Sequence, residues 1–417
     1  MSTEPHSLGT MAPHDVVPTE ANSMLSGLKI LSFAHWLQGP AAAQYLADLG
    51  ADVIKIEPVR GAAERHMMGP GGGPDGASSL FIAANRNVRS LAVDLKSAEG
   101  REIVYSLLGE YNIVIENFRP GAMEKLGLSY EELSQIQPGL IYASASGYGA
   151  TGPLADAPGQ DLLAQALSGI VAATGSRPTA VGAAVVDQHG ASLLAMAVLA
   201  AVVARMADGS GRRINASLLN AALDLQMEAL TFYLNSENDV RVPDLKRHDS
   251  LATWYHAAPY GVYPSSDGWL VISVADLDHL ADRFEELATL RGLDPLQHRD
   301  RVAETVTTFT AANSTAELSR RLSEAGVWFG PVLGYDEVVK HPQVVHNALI
   351  ATVGEGTWSG RVVSHPVQYD GRVPAIRRQP PATGAHTTEI LSELNYPAEE
   401  IQRLDREALV RAAPTTS

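Results

Sequence analysis

From Leu25 onward the chain alternates short apolar runs with longer stretches in which apolar residues recur every three or four positions. The run "GLKILSFA" is continuous enough for a buried strand. Gly39 and Pro40 interrupt it, "AAAQYLADLG" has helical periodicity closed by Gly50, and "ADVIKIE" predicts a second strand. The series continues with a strand in "RSLAVDL" and a helix in "SAEGREIVYSLLGEY", which has a capping-type start at Ser97. Two more strands follow in "NIVIENF" and "GLIYASASGYG". Strands alternating with helices predict an α/β fold with a Rossmann-like, doubly wound parallel sheet, its functional loops at the carboxyl ends of the strands. The glycine-rich "MMGPGGGPDG" between the second and third strands reads as a mobile loop.

At Asp161 the pattern changes to long helical periods, covering 161–172, 187–206 and 215–235, with a turn at Asp208, Gly209 and Gly211. A polar stretch, "NSENDVRVPDLKRHDSLATW", leads to "YGVYPSSDGWLVISVAD", a hairpin turning at Ser266-Asp267-Gly268. Helical segments run over 277–325. Short strands follow in "GRVVSHPV" and "GRVPAIRR", then a helix in "HTTEILSELN". No internal repeat is visible. The expected organisation is a flexible polar tail (1–24), a large domain (25–228), a smaller α/β domain with its linkers (229–340) and a C-terminal segment returning to the large domain (341–417).

Composition narrows the function. The 417 residues are 45% hydrophobic and carry a formal net charge of -16, so a general nucleic-acid partner is not expected. With no cysteine, thiol catalysis, disulfides and cysteine-ligated metals are excluded, and a reducing cytoplasm fits. The first residues lack a basic region followed by an apolar run, so no signal peptide is expected. The most apolar stretch, "ASLLAMAVLAAVVARM", reads as a buried helix, and no membrane partner is expected. The first strand-turn-helix lacks GxGxxG, and no GxxxxGK[ST], HExxH or GxSxG run occurs. The scattered histidines show no metal-ligand spacing, so no metal is expected.

One carboxylate stands out. In "APGQDLLAQALSG", Asp161 falls where a turn becomes an apolar helix. It can cap that helix, or it can be a nucleophile at the mouth of a site. A helix N-terminus favours negative charge at such a position. Gly147 and Gly149 in "SGYGATG" permit close backbone approach beside it, where N–H groups can face a developing oxyanion.

Five segments together resemble one family: "LSGLKILSFAHWLQGPAAAQYLADLGADVIKIEPVRG", "LFIAANRNVRSLAVDLKSAEGREIV", "NIVIENFRPGAMEKLGL", "GLIYASASGYGATGPLADAPGQDLLAQALSG" and "DGSGRRINASLLNAAL". That family is the class III coenzyme A transferases, which includes acyl-CoA racemases. The resemblance runs from Leu25 to near Leu219 and returns weakly in "GPVLGYDEVVKHPQV" and "HTTEILSELNY". It implies a Rossmann-like large domain, an interlocked homodimer, and acyl-CoA and small carboxylic acids as substrates. No resident cofactor is implied, since CoA enters as a thioester substrate. It further implies that Asp161 attacks the thioester, forms a mixed anhydride and then an aspartyl-CoA thioester. Asn85, Arg86, Arg89, Lys96 and Arg119 would meet CoA, since "NRNVRS" and "ENFRPG" resemble the family's CoA-contacting loops. Lys55 is a further candidate and Arg60 a weaker one.

Racemases of the family have a histidine before this aspartate. Here Gln160 stands there, and glutamine cannot take a proton near neutral pH. The racemases' later aspartate matches Asp187, which is expected to be structural, as a helix cap, and His189 to be packed or hydrogen-bonded. Formyl-CoA-type members have a glutamine where Leu37 stands here, with Gln38 one residue later, and a glycine run that this chain lacks. The expected activity is therefore CoA transfer from an acyl-CoA to a carboxylate. The alternatives are racemisation or isomerisation, intramolecular CoA transfer, and CoA-ester binding without turnover.

Overall fold

The computed structural model describes residues 23–67, 72–236, 248–273, 275–354 and 358–412. The polar tail expected over 1–24 lies outside these except at Ser23 and Met24. Residues 68–71 of the glycine-rich stretch lie outside them too.

Six parallel strands form the main sheet: β1 (Lys29–Ser32), β2 (Asp52–Glu57), β3 (Arg89–Val93), β4 (Ile113–Glu116), β5 (Ile141–Ser146) and β6 (Arg212–Ser217). Their order is β3-β2-β1-β4-β5-β6. This is the doubly wound Rossmann order, and it places the topological switch between β1 and β4. Ile30 and Leu31 are adjacent in β1 but feed different cores, as the two-residue period of a strand requires. The Ile30 side packs with Val53, Ile113 and Ile141 against the helices Gln38–Asp48 and Val185–Asp208. The Leu31 side packs with Ile54, Leu91 and Val114 against Ala98–Leu107 and Tyr130–Ile136. With both faces covered, β1 holds Ile30 and Leu31 together and β4 holds Ile113, Val114 and Ile115, so their centres read as continuous apolar runs.

The three-stranded antiparallel sheet of the smaller unit contains β7 (Gly261–Pro264), β8 (Trp269–Ile272) and β9 (Phe329–Pro331). Its core joins Tyr263, Leu270 and Ile272 to Leu280, Val302 and Leu318 from surrounding helices. A separate hairpin follows, β10 (Ile350–Val353) with β11 (Gly360–Val363). The chain then returns to the large sheet. Helices Thr387–Glu393 and Ala398–Arg406 cover the Leu31 side, and β12 (Val410–Arg411) pairs antiparallel to β3.

Three expected elements differ. The helix expected over 215–235 begins as β6, because Arg212–Ser217 is an edge strand whose burial alternates. Ser217 then caps a new helix at Leu218 through the Asn220 N–H at 3.1 Å. The helix expected over 161–172 is two pieces, Asp161–Leu167 and Ile170–Ala173, broken at Gly169 with φ 93°. "GRVPAIRR" forms no strand, only an isolated bridge between Tyr369 and Arg372. Among the described residues one helix, Val185–Asp208, is long and apolar enough to cross a membrane. One of its faces, including Leu194 and Val198, is packed into the large core.

Candidate active site

Asp161 is the first residue of its helix, with Gln160 in the N-cap position making no side-chain cap. Its carboxylate turns to a different helix. Oδ2 accepts the backbone N–H groups of Val186 at 2.8 Å and Asp187 at 3.0 Å. These belong to the first turn of Val185–Asp208, whose own N-cap residue, Ala184, offers no side-chain acceptor. Asp161 therefore supplies the missing cap from outside, at the positive end of a 24-residue helix dipole. Oδ1 accepts Gln165 Nε2 at 2.5 Å, one helical turn further on. Gln165 is itself buried and fixed by the Val181 N–H at 3.0 Å. A carboxylate offers about four lone-pair sites, so three donors leave one on Oδ1 free.

The loop after β5 supports this arrangement. A Cβ on Gly147 would lie 2.6 Å from the Gly159 Cα, so these two glycines let the β5 loop touch the segment leading into Asp161. Gly149 takes φ 115°, and its N–H donates to Ser146 Oγ at 3.0 Å. The two glycines shape the loop, but the Gly149 N–H is already committed and is not an open oxyanion donor.

Asp187 follows directly. Burial, reinforced by the charge of Asp161, pushes its carboxyl up to about 7. Its side chain does not cap the helix, contrary to the reading from sequence, because Asp161 occupies that role. His189 Nε2 lies 2.7 Å from Asp224 Oδ2, a hydrogen-bonded histidine as expected.

At the switch point, the turn after β1 is clamped to the turn after β4. The His35 N–H donates to Asn117 Oδ1 and Asn117 Nδ2 donates to the His35 carbonyl, both at 2.7 Å. The next residue, Trp36, is held at φ 65° with its indole 44% exposed. A bulky residue in that region is strained, and such strain persists only where the surroundings enforce it.

The expected CoA contacts divide into two groups. Four point inward. Lys55 donates to the Ala34 carbonyl at 2.9 Å and to Glu64 Oε1 at 3.0 Å. Burial opposes the charge on Glu64, but Lys55 and His35 outweigh it and hold the carboxyl well below the usual range. Arg86 forks onto Asp48 at 3.0 and 2.6 Å and reaches the Val363 carbonyl at 2.8 Å. Arg89 bonds Asp52, Glu389 and Glu393, and Asn85 bonds the Phe81 carbonyl at 2.9 Å. All four are buried, so their polar groups must be satisfied within the fold, and they knit the sheet to its flanking segments. Each of these side chains, expected from the resemblance to meet CoA, bonds to protein partners within the fold. Lys96 and Arg119, at the carboxyl ends of β3 and β4, are exposed. Neither side chain has an ion-pair partner among the described residues. A cavity of about 590 Å³ lies between the Gln38–Asp48 helix and the β10–β11 hairpin, lined by Tyr45, Arg86, Gln188 and Arg361. Asp161 is not among its lining residues.

Sequence reasoning missed Gln165, Asn117 and the contact of His35 and Glu64 with Lys55. The four-residue spacing from Asp161 to Gln165 was the available signal. The other contacts cross between strands and leave none.

The sheet has the Rossmann strand order, and a fixed carboxylate, Asp161, sits at the N-terminal end of the Val185–Asp208 helix. The model of CoA-transferase family III matches residues 25–387. The chain is 30% identical over 400 residues to a succinate–glutarate CoA-transferase of Agrobacterium fabrum, spanning 89% of this chain and 95% of that protein. It is 31% identical over 420 residues to an acyl-CoA transferase of Fusarium pseudograminearum, spanning 94% and 89%. Among solved structures, a CAIB/BAIF family protein from Brucella suis superposes with TM-score 0.76 at 28% identity, covering 89% of this chain and 99% of that one. Rv3272 from Mycobacterium tuberculosis superposes with TM-score 0.74 at 27% identity, covering 88% and 99%. The chain belongs to CoA-transferase family III and is an enzyme of that family.

Proposed function

We propose that the protein moves CoA from an acyl-CoA to a carboxylic acid through covalent intermediates on Asp161. The observation that carries this is the Asp161 carboxylate, held by three donors with one lone pair left free. Positioning of that kind makes a weak nucleophile effective against an activated thioester. Oδ1 attacks the thioester carbonyl carbon, the C–S bond breaks, and CoA thiolate leaves with the electron pair. The thiolate then attacks the Asp161 acyl carbon of the mixed anhydride, releasing the donor acid and leaving an aspartyl-CoA thioester. The acceptor carboxylate attacks that thioester and expels the thiolate again. Thiolate attack on the acceptor's acyl carbon yields the new acyl-CoA and restores Asp161. Bonds of equal kind are exchanged, so the protein's main task is to keep water from the anhydride.

CoA enters as substrate, and the reading needs no resident cofactor or metal. Lys96 and Arg119 are exposed cations that would meet its phosphates. We place the enzyme in the cytoplasm as a homodimer. Leu162, Leu163 and Leu167 beside Asp161, with Met196, Val203 and Met206 on the long helix, expose apolar surface that a second copy would cover. Sedimentation of a monomer at micromolar concentration would overturn the dimer.

The test of the chemistry is intact-protein mass spectrometry after mixing with a panel of acyl-CoAs, with hydroxylamine or borohydride trapping. An acyl or CoA adduct on the wild type that is absent from Asp161→Ala is the expected result. A second reading, racemisation or isomerisation, is favoured by Asp187, whose carboxyl near 7 suits proton transfer. Against it stands Gln160, which cannot be the second base. Solvent deuterium entering the substrate α-carbon without any adduct would establish that reading instead.

A further inference from the structure

Two costly features meet at one point of the large domain. Gln38, the first residue of the Gln38–Asp48 helix, is 4% exposed, and its Nε2 has no hydrogen-bond partner. A buried amide without a partner is destabilising, and native folds seldom tolerate one without a reason. Opposite it, Gly190 sits inside the Val185–Asp208 helix, where glycine is itself unfavourable. A Cβ on Gly190 would lie 2.4 Å from Gln38 Nε2, so the helix is left bare at the place the amide occupies.

That place lies on the helix that holds the nucleophile. Gly190 is one turn along the helix from Val186 and Asp187, the two residues whose N–H groups hold Asp161. One turn spans about 5.4 Å, and residues three and four apart share a helix face. Gln38 also begins its helix directly after the strained, clamped turn at Trp36. The end of β1 therefore delivers an unsatisfied donor to the same helix whose first turn holds Asp161, at a residue about one turn further along it.

We propose that Gln38 is a catalytic residue whose amide N–H completes its hydrogen bond on the acyl oxygen of the bound thioester. When Asp161 Oδ1 adds to the thioester carbonyl carbon, the carbonyl π pair moves to that oxygen. The Gln38 N–H bonds the resulting oxyanion until the C–S bond breaks and the thiolate departs with its pair. This supplies the donor that the Gly149 N–H, committed to Ser146, does not. In the free enzyme the amide is sealed and unpaired, so stability is given up for the transition state. The proposal rests on the transferase reading given above.

The test compares wild type with Gln38→Met, which keeps the length of the side chain and removes the amide. Gln38→Met is expected to raise Tm, because the unpaired buried group is gone. It is expected to lower kcat and the single-turnover rate of Asp161 loading on the order of 100-fold, the usual loss for one oxyanion donor, with KM for the acyl-CoA little changed. Gly190→Ala, which crowds the amide out of its place, should reproduce the loss in kcat. A higher Tm with unchanged loading would show that Gln38 is a packing residue only. A lower Tm for Gln38→Met would make the amide a structural group. Either result overturns the proposal while leaving wild-type loading of Asp161, and the transferase reading, intact. Failure of the wild type itself to load would remove both.

Discussion

Asp187 should make the protein less stable as pH rises through the near-neutral range, and replacing it with asparagine should remove that loss. The carboxyl ordinarily ionises near 3.8 and is pushed up to about 7 in the fold by burial, with the Asp161 charge adding to it. Below 3.8 the group is protonated in both folded and unfolded chains and has no effect on the pH slope. Between 3.8 and about 7 the unfolded chain ionises while the folded one does not, so folding must hold a proton that solvent would take. Above about 7 both forms are charged and the loss levels off. Full expression of such a displacement would amount to about 4 kcal/mol. Asp187 is partly exposed, and solvent screening brings the expected effect to roughly 1–3 kcal/mol. The assay is the urea midpoint of wild type and Asp187→Asn from pH 4.5 to 8.5 at one fixed protein concentration, because association also contributes to apparent stability. The variant should gain on the wild type with rising pH and lead by roughly 1–3 kcal/mol at pH 8. Asp161→Asn should move the wild-type transition to lower pH, since one of its two causes is gone. A difference that stays constant across the range, or a less stable Asp187→Asn at pH 8, would refute the reasoning.

Two further substitutions probe the frame around the site. Gly147→Ala puts a methyl 2.6 Å from the backbone of Gly159, which cannot rotate away. Stopped-flow loading of Asp161 should slow by about 100-fold, as expected for a displacement near 1 Å, while thermal unfolding shows a folded protein. Lys55→Met leaves Glu64 buried beside His35 without its ammonium partner. Urea denaturation should report a loss of about 3–5 kcal/mol, largely recovered in Lys55→Met/Glu64→Gln.

The sequence made the sheet visible where burial is complete on both faces. Ile30-Leu31 in β1, Val53-Ile54 in β2 and Ile113-Val114-Ile115 in β4 are buried apolar runs, and Ser97 caps its helix through the Gly100 N–H at 2.9 Å as its position suggests. β6 was hidden because an edge strand alternates like a half-buried helix and leads straight into one at Leu218. The break at Gly169 was hidden because a glycine between two short apolar pieces reads as a continuous period. At the site, Asp161 was conspicuous as a charge entering an apolar helix, but its partners were not. The N–H groups it binds lie 25 and 26 residues ahead, and no local pattern announces them. The partners of the two arginines were hidden in the same way. Arg86 and Arg89 lie at the start of β3, where a charge looks available, yet Asp48 and Asp52 reach them from segments almost forty residues earlier.

The pairing of β12 with β3 has a topological consequence. β6 and β12 belong to the same sheet, so everything between them, the smaller unit and the β10–β11 hairpin included, is a loop closed by non-covalent contacts. A single proteolytic cut within that loop would leave two fragments still joined through the sheet and its helices. A closed loop also encloses a space. If a second copy occupies it, as an interlocked dimer requires, the two chains can separate only when a loop opens. The closure at the C-terminal end is the two-residue strand Val410–Arg411 together with the two helices that precede it. Peeling of that terminal segment, rather than rupture of the dimer surface, would then set the rate of subunit exchange.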